Sequence, residues 1–212
     1  ARRLAWSIAL VSIALVTTGL AMSILAQIAD DGHLGPFSHQ FFTPVVTIAY
    51  GVVGALVAAR HPRNPIGWIF CATAFLSALN MLSAGYSLYS ELAMTNGSLP
   101  GVEFAQWLEL WVWIPNVLLP ITFLLLLFPD GTLLSTRWRP IAWAAGLGSA
   151  ALTLGIAFHP GPLEAIGMHE SNPSGISGNE DVINAVMAVA APLRLAGVLG
   201  SVASVIVRFR NA

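Results

Sequence analysis

The chain has no lysine, a single cysteine (Cys71), and charge on only 9% of its 212 residues. Without a side-chain amine it cannot form a Schiff base, so retinal cannot be attached in that way. One thiol cannot close an intrachain disulfide, and it says nothing of the redox compartment. So little charge excludes a water-soluble domain of this size. With 56% hydrophobic residues and a mean hydropathy of +0.76, there is not enough polar surface to cover a globule. No serine stands in a glycine-flanked setting with a membrane-buried histidine, which removes an intramembrane serine protease. His33, His39, His61, His159 and His169 all fall at run ends or in connections. A haem held between imidazoles at mid-membrane is thereby excluded, while a pigment or haem near the outer surface stays open, and the cofactor is unknown.

What is there is a set of apolar runs. A window of about 20 residues crosses roughly 30 Å of hydrocarbon as a helix. Six such segments lie at about 4–28, 41–60, 66–90, 105–128, 140–158 and 183–207. The runs are continuous rather than alternating, and far longer than the roughly 10 residues of a barrel strand. The first is too long for the apolar core of a signal peptide and has no clear small-residue cleavage site after it. The expected fold is all-α: a polytopic six-transmembrane-helix bundle forming a single membrane domain over 1–212.

All nine basic residues are arginines, and eight of them flank the runs in pairs: Arg2 and Arg3, Arg60 and Arg63, Arg137 and Arg139, Arg208 and Arg210. With six crossings these four places face one side, which the positive-inside rule makes cytoplasmic. The connections "ADDGHLGPFSHQ", "SELAMTNGSLPGVE" and "HPGPLEAIGMHESNPSGISGNEDV" carry no lysine or arginine and most of the acid. Both termini are therefore expected in the cytoplasm of a bacterium, with the chain in its plasma membrane. The basic residues are border pairs rather than a patch, so nucleic acid is not an expected partner.

The inner connection "AARHPRNPIGWIF" reads as a tight turn. Pro65 fits the first helical turn, where its missing N–H costs nothing, and Trp68 falls at headgroup depth. Pro140 and Trp143 repeat the same Pro-Ile-x-Trp wording in "TRWRPIAW". "YGVVGALVAARHPRNPIGWIFCA", "LLLLFPDGTLLSTRWRPIAW", "FHPGPLEAIG" and "NPSGI" together resemble the N-terminal membrane region of actinobacterial and Chloroflexota sensor histidine kinases and related signalling proteins. The resemblance covers roughly residues 35 to 212. It implies a sensory input module of a two-component system, followed in that family by further helices and a cytoplasmic kinase. The sequence itself holds no phosphoacceptor histidine helix and no glycine-rich ATP site. This chain is thus expected not to be an enzyme, and to be part of something longer.

One arginine breaks the border pattern. Arg194, in "AAPLRLAGVLG", lies roughly 17 Å inward from Ile183 at 1.5 Å per residue, close to the bilayer centre. A charge at that depth costs several kcal/mol unless it faces protein or water. Pro192, two residues earlier, frees a backbone carbonyl one turn back. Ranked by depth, its expected companions are Glu109 and Asn116, seven residues apart on one helix face, and Asn80 in the third run. Such a cluster either registers helices through interhelical hydrogen bonds or forms an outward-opening pocket for a lipophilic or anionic ligand.

Trp107 and Trp111, four residues apart, wall the same level, although with Trp113 they also suit an interfacial aromatic belt. His159, His169, Glu170, His33 and Asp31 lack any recognised metal-ligand spacing, so no metal is expected. Asp130 in "FPDG" reads as a polar turn, with Gly131 at a left-handed position and Arg137 or Arg139 as possible neighbours. Besides the sensory module, two functions remain open. One is a non-catalytic subunit of a larger membrane complex, pigment- or lipid-binding, or a homo-oligomer, docking through Gly51, Gly54 and Ala58 or through Gly197 and Gly200. The other is a small transporter, supported only by Pro115, Pro120 and Pro192 within runs.

Overall fold

The computed structural model describes residues 1–29, 39–93, 97–161, 172 and 174–210. Among these the chain is helical with no strand, and six helices are long and apolar enough to span a membrane. They are α1 (Arg2–Ala29), α2 (His39–Arg60), α3 (Pro65–Ala93), α4 (Val102–Leu127), α5 (Arg139–Phe158) and α6 (Glu180–Arg210). Each expected run lies on one of them. The helices extend a few residues further, because backbone hydrogen bonding does not stop where hydrocarbon does. The chain divides into two compact units, Ala1–Asn116 and Val117–Ala212.

In the first unit α1, α2 and α3 all pack on one another, and they do so with small side chains. The buried positions of α1 are Ala5, Ala9, Ser12, Val16, Gly19, Ser23 and Ala26. Those of α3 include Gly67, Cys71, Ala74, Ala78, Met81 and Gly85. Both sets advance by alternating steps of four and three, the 3.5-residue period of left-handed helix pairing. In lipid, apolar bulk brings no helices together, so close backbone approach has to supply the dispersion energy. Gly19 shows how close: a Cβ there would lie 2.5 Å from the Met81 carbonyl oxygen and 2.7 Å from Leu82 Cα. Gly54 and Gly67 are equally tight, against Cys71 N and Ala58 N at 2.7 and 2.6 Å. Gly51, Gly54 and Ala58 are thus used within the unit, against α1 and α3, and do not form an outward docking stripe. A buried hydrogen bond of 2.7 Å joins Thr47 on α2 to Ser77 on α3.

The α2–α3 turn forms as its residues dictate. Asn64 accepts the Ile66 N–H on its side-chain oxygen at 2.9 Å, capping a helix that starts at Pro65. Trp68 donates its indole N–H to the Pro62 carbonyl at 3.0 Å, tying the ring to the turn. Between α3 and α4, Tyr86 donates to the Pro100 carbonyl at 2.7 Å and Ser90 accepts the Leu99 N–H at 2.9 Å.

In the second unit the ladder of α4 widens into a π stretch, Leu119–Leu124. Pro120 lies at its start and has no N–H to continue the regular pattern. A short 3₁₀ turn, Thr136–Trp138, leads into α5. Packing of α5 on α6 again rests on glycine. A Cβ on Gly197 would lie 2.5 Å from Ala145 Cβ, one on Gly155 2.5 Å from Met187 Cγ, and one on Gly148 2.7 Å from the Arg194 backbone N. Gly200 meets Ile141. Gly197 and Gly200 therefore also face inward.

Candidate functional site

Of the six candidate residues, Asn80, Trp107, Glu109, Trp111 and Asn116 belong to the first unit and Arg194 to the second. Within the first unit Asn80 donates its amide N–H to the backbone carbonyl of Glu109, at 3.4 Å, a long bond. Asn80 thus contacts the Glu109 backbone and not its carboxylate. Asn116 presents a buried Oδ1 with no hydrogen-bond partner among the described residues. Trp107 and Trp111 meet edge to face, centroids 5.4 Å apart, and Phe104 extends the row at 5.5 Å from Trp107. The Trp111 N–H is buried without a partner among the described residues, whereas Trp113 is 44% exposed and donates to its own helix at Leu110. The pair therefore splits from Trp113, which suits the lipid belt.

Arg194 is one residue from the midpoint of the 31-residue helix α6. It sits on a stripe formed by Met187, Ala190, Arg194, Gly197, Ser201, Ser204 and Arg208, again at alternating steps of three and four. Ala190, Gly197, Ser201 and Ser204 on that stripe are buried, and Arg194 is half-buried among them. Its backbone is seated in the notch of Gly148, where a Cβ would also lie 3.0 Å from the Ala190 carbonyl oxygen. The guanidinium therefore springs from the packed face of α6, as the cost of burying charge requires. Among the described residues of its unit it makes no hydrogen bond or ion pair.

Fourteen residues on, the same stripe carries an arginine that the border pattern alone left without a role. Arg208 donates to the Leu126 carbonyl at 3.0 Å and the Thr132 carbonyl at 2.6 Å. These oxygens lie at the C-terminal end of α4 and in the turn after it, where a cation is favoured by the helix dipole. Gly131 takes the left-handed conformation expected there, at φ +76°. The exposed Asp130 is left to solvent, and the arginine that grips this segment is Arg208. Above it, Ser201 donates to Val198 at 2.7 Å and approaches the Ile121 carbonyl of the π stretch at 3.5 Å. Spacing along α6 held the signal: Arg194 and Arg208 are two heptads apart.

At the other end of α5 the pieces "FHPG" and "NPSGI" fasten together. Asn172 donates its amide to the carbonyls of Ala157 at 2.8 Å and His159 at 3.0 Å, and the Ile176 N–H bonds to the Phe158 carbonyl at 2.9 Å. His159 is 5% exposed and accepts the Gly161 N–H on Nδ1 at 2.9 Å. Its Nε2 is buried with no partner among the described residues. Among the described residues no three histidine, cysteine or carboxylate side chains gather as a metal site. His33, Asp31, His169 and Glu170 lie outside the described residues. No family model matches the chain, and no curated protein or solved structure was found to match it.

Proposed function

We propose that the chain is a membrane-embedded sensory or input module of a bacterial plasma membrane, with both termini cytoplasmic and no catalysis of its own. The observation that carries this reading is the stripe on α6 that bears Arg194 at mid-helix and Arg208 near its end. One continuous helix thus joins a charge at mid-membrane depth to a hydrogen-bonded grip on Leu126 and Thr132. It rests on α5 through glycine notches, and the reading requires a second seating of those contacts. A stimulus that favours one seating moves the cytoplasmic exit at "VRFRNA". The ligand or bilayer property must distinguish the two seatings by about 1–3 kcal/mol for a useful response.

Spin labels at the exposed Arg137 and Arg210 test this in lipid nanodiscs. Two distance populations, redistributed by Arg194→Ala, are expected. A single distribution indifferent to that change and to lipid composition would sink the reading. The runner-up would then stand, a non-catalytic subunit of a membrane complex or homo-oligomer. It draws on the outward face of α6, where Val189, Leu195, Leu199 and Ile206 are each more than half exposed. Stable co-purification with another membrane protein would support it.

A further inference from the structure

Between α5 and α6, towards the end that carries Asp181, the second unit opens a groove of about 620 Å³. Leu147 and Ala151 form one wall, Val182, Val186, Val189 and Leu193 the other, and Asp181 stands at one end. The α6 wall advances by steps of four, three and four, so it is a second heptad stripe beside the one that carries Arg194. From Asp181 to Leu193 the groove runs roughly 18 Å along the helix, a little more than half of a hydrocarbon core of about 30 Å.

Its lining selects the occupant. The walls are apolar throughout and only Asp181 carries charge, which matches a hydrocarbon chain along the groove and a polar headgroup at its end. Charge selects the headgroup. Asp181 is preceded by Glu180, and the connection from His159 to Val182 contains no lysine or arginine. The nearest guanidinium on the same helix, Arg194, is thirteen residues further and roughly 20 Å deeper. A headgroup whose only charge is a phosphate would face two carboxylates with no cation at its level, whereas an ammonium would meet its complement.

We propose that this groove holds one acyl chain of an outer-leaflet lipid whose headgroup bears an ammonium, with Asp181 as the headgroup contact. The proposal rests on the membrane orientation given above, and its site is separate from the residues expected to hold a lipophilic or anionic ligand.

The test is photolabelling of the full chain in nanodiscs, with phosphatidylethanolamine or phosphatidylglycerol carrying the same photoreactive acyl chain. Adducts are mapped by mass spectrometry. Adducts concentrated at Leu147–Ala151 and Val182–Leu193, at least fivefold stronger with phosphatidylethanolamine, are expected. Asp181→Asn should equalise the two lipids while keeping the adducts in place. Ala151→Trp and, independently, Val186→Trp should each reduce groove labelling about tenfold, and Leu199→Trp on an exposed face should not. Equal labelling by both lipids in the unaltered chain would overturn the proposal. So would adducts scattered over every exposed face, undiminished labelling in both tryptophan variants, or a co-purifying polypeptide seated on these residues. The labelling requires no motion of α6, so it can succeed even where the spin-label distances show a static helix.

Discussion

Replacing Gly19 by alanine should weaken the first unit, and the structure gives the scale. The added carbon would sit 2.5 Å from the Met81 carbonyl oxygen and 2.7 Å from Leu82 N and Cα. Ordinary contact begins near 3.4 Å, so α1 must retreat from α3 by roughly 1 Å, since these are backbone atoms with no rotamer to give. A gap of that size forfeits a quarter to a half of each contact along the stripe from Ala5 to Ala26. Overpacking of this kind costs about 2 kcal/mol.

Gly51 is the control. A Cβ there would meet Ala74 Cβ at 3.6 Å and Ala9 Cβ at 3.7 Å, comfortable distances. Gly51→Ala should therefore gain up to about 1 kcal/mol from helix propensity. The assay is reversible unfolding of the full chain in mixed micelles of mild detergent and dodecyl sulfate, following helix loss. Opposite signs, about 3 kcal/mol apart, are expected. If both variants shift alike, or Gly19→Ala changes nothing, close backbone approach is not what holds α1 to α3.

Other expectations are narrower. Thr47→Val and Ser77→Ala should each cost about 1 kcal/mol, and the double variant little more than either alone, because they share one buried bond. Arg208→Ala should speed amide exchange across residues 128–132 about tenfold, and lysine should restore part of the protection, since both bonds leave the single nitrogen Nη2. Asn172→Ala should release the Gly161 and Ile176 amides to exchange by a similar factor, while Ser177→Ala, exposed beyond the clasp, should not.

The helices were legible because a spanning segment must be long, apolar and internally hydrogen-bonded. Each border stated in the sequence falls within a few residues of its helix. Pro65 marked the start of α3, and the structure adds Asn64 as its cap. Which residues face which neighbour was harder to read. Gly51, Gly54, Gly197 and Gly200 look alike in a sequence whether they meet the chain's own helices or a partner's. Depth could rank Glu109 and Asn116 against Arg194, since residue number along a helix measures depth. Depth leaves the direction around the axis open. The heptad stripes supply that direction, and once α6 is read by them Arg194 and Arg208 fall on the packed face together. The clasp at Asn172 was harder still. Its bonds join pieces of chain more than ten residues apart, and no periodicity announces such a turn.

The lone sulfhydryl has a practical consequence. Cys71 is fully buried, with its Sγ against the notch of Gly54 and the α2–α3 seam closed around it. An alkylating reagent can reach it only when that seam parts. The rate at which the unaltered chain takes up a maleimide therefore clocks the opening of its first unit. Cysteines engineered elsewhere for labelling will react on a background that is silent for as long as the seam stays shut.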